Sequence, residues 1–146
     1  MDVLLKRLLQ LSELREMTDQ INAGHGPALL TGLGPVHRAQ AAAAAAHATG
    51  RPLLMLCADE RECQRMAADL HILLDSEAVI LPAREIQLHT TAAASRQWEY
   101  RRLDALHRLT QGGCPVVVTT PDALAQRSIP PQILQQSVLT LGVGGQ

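Results

Sequence analysis

Residues 27–48, PALLTGLGPVHRAQAAAAAAHA, constrain the fold more than any other stretch of the chain. A short apolar run (Ala28, Leu29, Leu30) leads into a glycine turn (Gly32, Leu33, Gly34), and Pro35 then opens an alanine-rich helix. Proline suits the first helical turn, where its missing N–H has no intrahelical partner to lose, and alanine is the strongest helix former. The pattern predicts a strand over 28–31 and a helix over 35–48, the layout of a phosphate-binding loop. Such a loop needs more than its shape: backbone N–H groups cradle the phosphates, a lysine reaches the terminal ones, and a hydroxyl holds magnesium. The corresponding positions here read Val36, His37, Arg38 and Ala39, with neither lysine nor hydroxyl. Gly32, Gly34, His37 and Arg38 are the candidates for holding an anion, through N–H groups, the helix dipole and a side-chain charge. Pro35 removes one donor, and a β–α turn that keeps its shape without a ligand is the simpler reading.

Before this stretch, Leu4, Leu8, Leu11, Leu14, Met17 and Ile21 recur at three- and four-residue steps. That spacing predicts an amphipathic helix over 3–21, ended by Asn22, Gly24, Gly26 and Pro27. It either packs on its own domain or docks elsewhere; Leu5 and Leu9 widen its apolar face. After the alanine helix, an apolar run over 53–58 precedes Asp59 and Glu62, spaced as a capping box, with Cys63, Met66, Ala67, Leu70, Leu73 and Leu74 at helical spacing behind them. A third strand is predicted over 78–81, and residues 82–94 form a loop without a clear period, a length uncommon unless functional. Ser95 is positioned to cap a helix over 95–109, ended by Gly112 and Gly113. A fourth strand follows over 116–119, then a helix started by Thr120 and Pro121, a short one after Pro130 and Pro131, and a strand-like run over 138–141. Strands alternating with helices predict a parallel sheet covered on both faces. The expected division is a leading helix and linker over 1–26, an α/β domain over 27–136, and the start of a further domain over 137–146.

The 146 residues suffice for one domain with a real core. With one Trp, one Tyr and no Phe, that core must be built from Leu, Ala, Val and Ile. Thirteen basic and fourteen acidic side chains leave the chain almost neutral, so total charge proposes neither a nucleic-acid nor a membrane partner. No apolar run approaches the roughly 20 residues that span a bilayer. Cys57, Cys63 and Cys114, odd in number and widely spaced, read as reduced thiols of a cytoplasmic protein.

Catalytic groups are hard to find. A carboxylate ending a strand would organise magnesium in an ATPase, yet the predicted strands end in Thr31, Ala58, Leu81-Pro82 and Thr119-Thr120; Asp59 is explained as a cap. The six histidines lie singly, without metal-ligand spacing. No catalytic residue and no metal site is expected. One surface stands out, the arginine-rich helix carrying Arg96, Trp98, Tyr100 and Arg101, together with Arg84 and Glu85 in the loop before it. Arginine beside an aromatic anchor suits a partner surface, although Glu99 and Asp104 also balance the charge as on any solvated helix.

The order of these pieces resembles a known family. Ile80-Leu81-Pro82-Ala83-Arg84-Glu85, then Ser95-Arg96-Gln97-Trp98-Glu99-Tyr100-Arg101-Arg102-Leu103, then Val116-Val117-Val118-Thr119-Thr120-Pro121-Asp122-Ala123-Leu124 are similar to the N-terminal, UvrB-like part of the bacterial transcription-repair coupling factors (Mfd). The resemblance covers about 27–146 and rests on order and spacing. It implies a degenerate RecA-like domain that has lost the Walker residues, with Thr120-Pro121-Asp122 similar to the Thr-Pro-Gly motif of helicase domains. It also implies a non-catalytic role: scaffolding an inserted UvrA-binding domain that would follow close behind. ATP and magnesium would belong to the motor of the full-length protein, a DNA translocase that displaces stalled RNA polymerase in nucleotide excision repair. Two other readings stay open: a UvrB-like or helicase-like domain that still binds nucleotide or an anion, and an unrelated doubly wound enzyme domain with its site in the loop over 82–94.

Overall fold

The structure is a computed structural model that describes residues 2–83, 96–112 and 114–139. Its sheet is parallel and three-stranded, ordered β1 (Leu53–Leu56), β3 (Val116–Thr119), β2 (Ala78–Leu81). Leu53 and Ala78 both pair with Val116, and Leu56 and Leu81 both pair with Thr119, so the three strands end level. Parallel neighbours need a long crossover. Helix α4 (Glu60–Leu74) carries the chain from one sheet edge to the other, and α5 (Gln97–Gln111) returns it to the centre.

Side chains alternate across a strand, and the packing follows that alternation. Val116 and Val118 turn to one face, where they meet Ala39 and Ala43 of α3 (Pro35–Thr49), Met66 and Leu70 of α4, and Leu5 of α1 (Asp2–Leu8). Val117 turns to the other face, among Val79, Leu81 and Ala105 of α5. Ala39, Ala43 and Ala44 of α3 are fully buried, which lets that helix lie close to its neighbours. The fold is thus an α/β sheet with helices on both faces, as the sequence predicts. Among the described residues the second face is covered over β2 and β3, while Leu54 and Leu56 of β1 stay 54% and 51% exposed there. The N–H groups of Leu53 and Cys57 donate to Pro115 and Thr119 carbonyls at 2.8 and 2.9 Å. By alternation, those of Leu54 and Leu56 point to the open sheet edge.

Two expected elements come out differently. The leading helix over 3–21 is two helices, α1 and α2 (Ser12–Asn22). The break at residues 9–11 lets Leu5 enter the main core while Leu14 joins a second cluster with Ala41 and Ala44. No strand forms over 28–31: Leu30 and Leu33 pack on that second cluster, Leu29 is 86% exposed, and the segment has no ladder to pair with. The turn and helix of the loop therefore exist without the strand. Residues 138 and 139 are neither helix nor strand, and the rest of the run over 138–141 lies outside the described residues. The arginine-rich helix begins at Gln97; Ser95, its expected cap, also lies outside them.

Candidate functional site

Open parallel sheets bind ligands outside the carboxyl ends of their strands. Here those ends are Cys57-Ala58-Asp59 after β1, Pro82 after β2 and Thr120 after β3. Each is occupied by an interaction within the protein.

At β1, Asp59 caps α4 by accepting from the Glu62 N–H at 2.7 Å. The Glu62 side chain reaches back to accept from the Ala58 N–H at 2.9 Å, one residue before the cap itself. Its other oxygen meets Arg38 Nη1 at 2.9 Å. Glu62 is buried, so the cation of the anion-candidate set is directed at a protein carboxylate. Gly32 does take a left-handed backbone, φ +75°, as a tight turn requires. Gly34 is the N-cap of α3 and offers no side-chain acceptor, and a methyl group placed on it would come within 3.4 Å of the His37 ring. The structure brings Gly34, His37 and Arg38 to one helix end, but it gives Arg38 to Glu62.

Between β2 and β3, Thr119 Oγ1 donates to the Leu81 carbonyl at 2.8 Å. Thr120 caps α6 (Pro121–Ala125) by accepting from the Ala123 N–H at 3.2 Å, the cap and first-turn proline expected there. Arg102 then closes this side. Its guanidinium donates to the carbonyls of Pro82 at 2.7 Å and Ala123 at 3.0 Å and to Ser128 Oγ at 2.9 Å. Burial lowers its pKa. Sequence reasoning overlooked Arg102 among its arginine neighbours. The signal was its spacing, three and four residues before Ala105 and Leu106, which puts it on the inward face of α5.

The partner-surface candidates separate. Arg96, Tyr100 and Arg101 are exposed and Trp98 is half-buried, with the Arg101 guanidinium 5.3 Å from the Trp98 ring, a cation–π contact. Arg84 and Glu85 lie outside the described residues, as does most of the loop over 82–94. A cleft of about 410 Å³ runs beside Trp98 and Leu106, walled by Arg127 and Ile129. A larger one of about 530 Å³, with His47, Arg51 and Cys114 in its lining, opens at the other end of the sheet, away from the strand ends where α/β folds do their chemistry.

Among the described residues no group of three or more His, Cys, Asp or Glu is placed to hold a metal, and no helix is long and apolar enough to cross a membrane. Cys57 and Cys63 are buried in the main core. Burial raises both thiols, that of Cys63 from 9.0 to about 12. A raised folded-state pKa means that the unfolded chain loses the proton first, so stability is full below 9.0 and falls as pH climbs from there towards about 12. Urea midpoints at about pH 8 and about pH 10.5 should therefore drop more in the wild type than in Cys63→Ala. Thiol reagents should reach the half-buried Cys114 first.

The fold defines an α/β domain of parallel-sheet type, and at its strand ends Glu62, Thr119 and Arg102 have partners within the protein. No family model matches the chain, and no solved structure matches it. It is similar to the transcription-repair-coupling factor of Bacillus subtilis, with 30% identity over 134 residues, or 90% of this chain. The chain is therefore related to a region of that factor. It spans 11% of the relative's length.

Proposed function

We propose that this chain is the N-terminal, non-catalytic portion of a transcription-repair coupling factor, a scaffold for a UvrA-recruiting region. The observation that supports the reading is that Arg38–Glu62, Thr119–Leu81 and the Arg102 hydrogen bonds are made within the protein at the strand ends, the edge at which open parallel sheets take ligands. The similarity to the Bacillus subtilis factor supports it. On this reading, ATP and magnesium serve a motor elsewhere in the full-length DNA translocase, which works in the cytoplasm on DNA and stalled RNA polymerase. The module supplies rigid support and binds no cofactor itself. A pull-down with UvrA tests the division of labour, using the 146-residue chain beside a version extended through the next domain. The extended version should capture UvrA and the shorter chain little. Equal capture by both, or capture by neither, contradicts the scaffold role.

A further inference from the structure

We infer that α6 and α7 (Pro131–Ser137) form a separately releasable strap, and that Arg102 is the pin that holds it to the sheet. Helices of five and seven residues are too short to persist alone. Their buried side chains are Ala123 in α6 and Leu134 in α7. A polar tie from α7 to α5, Gln135 Nε2 donating to the Thr110 carbonyl at 3.3 Å, is exposed.

Arg102 is placed differently. It stands on α5, which is fixed to β2 through Ala105 among Val79 and Leu81. One arm of its guanidinium holds Pro82 at the end of β2, while the other holds Ala123 and Ser128, residues 41 and 46 positions further along from Pro82 by their numbers. A planar fork with several donors can bridge two segments in this way, where a point charge would serve one. On the strap side the acceptors are the Ala123 carbonyl and the Ser128 hydroxyl, and on the sheet side the Pro82 carbonyl. Arg102 belongs to none of the apolar clusters, so its loss should free the strap and leave the core in place. Release would also remove Arg127 and Ile129 as one wall of the cleft beside Trp98.

The functional weight of the pin rests on the reading above: if the recruiting region follows α7, the strap sets its position against the sheet. The test is independent of that reading. Native-state amide hydrogen exchange in the 146-residue chain should show Arg102→Gln accelerating Leu124, Leu134 and Gln135 by about tenfold or more, with the amides of β3 and α4 unchanged. Unchanged strap amides overturn the inference, and so does uniform acceleration of strap and core. Should Arg102→Gln not fold, Ser128→Ala removes one acceptor and leaves the cation. It should accelerate the same amides by a smaller factor and no others, and any other pattern contradicts the pin.

Discussion

Leu70→Ala is expected to destabilise the domain by about 2–5 kcal/mol, the range for deleting a fully buried leucine from a core that relaxes incompletely. Leu70 has no exposure and lies in the cluster where α4 meets Val116 and Val118 of the central strand and Ala39 and Ala43 of α3. With aromatics nearly absent, the chain has no large ring to collapse into the vacancy, and the neighbouring alanines are too short to fill it. Against a total stability of about 5–15 kcal/mol for a domain, the loss is large. Chemical denaturation of the two proteins checks it, with the slope unchanged and the midpoint lowered. Leu54→Ala, on the uncovered face of β1, should cost far less, because that side chain is already 54% exposed.

Glu62→Ala is expected to cost about 1–3 kcal/mol, because it removes the acceptor of a part-buried backbone donor and leaves that donor unsatisfied. The Ala58 N–H loses its 2.9 Å partner and Arg38 loses its counter-ion. Glu62→Gln separates the two contributions. A glutamine oxygen still accepts from Ala58, so only the ion pair is lost, and Arg38 is 44% exposed, where solvent screens most of the attraction. That variant should cost less than about 1 kcal/mol. Thermal or urea unfolding of both variants distinguishes the hydrogen bond from the charge; equal losses would show that the charge dominates.

Much of the fold was legible because its signals are local. The four-residue strands at Ala78–Leu81 and Val116–Thr119 show as β-branched and apolar runs, the cap at Asp59 as its spacing from Glu62, and the start of α6 as Thr120-Pro121. The failures share a cause. Residues 28–31 have the composition of a strand, but a strand exists only when a neighbour supplies a ladder, and composition carries no information about neighbours. The single leading helix became two because two hydrophobic clusters, one around Leu5 and one around Leu14, pull in different directions. Arg102 was hidden by its type: an arginine among arginines reads as surface, and only its carbonyl and hydroxyl partners, distant in sequence, show it to be interior. The site was legible in the same uneven way. The Asp59 cap could be read from its spacing, while the pairing of Arg38 with Glu62 joins α3 to α4, with β1 between them in the chain, and exists only once the two helices pack.

On the proposed function, the glycine turn at residues 32–34 and the strand ends hold no nucleotide. Calorimetric titration of the 146-residue chain with a non-hydrolysable ATP analogue and magnesium addresses it directly. No saturable heat is expected up to millimolar analogue, with the native fold confirmed in the same sample. Saturable binding in the micromolar range would contradict it.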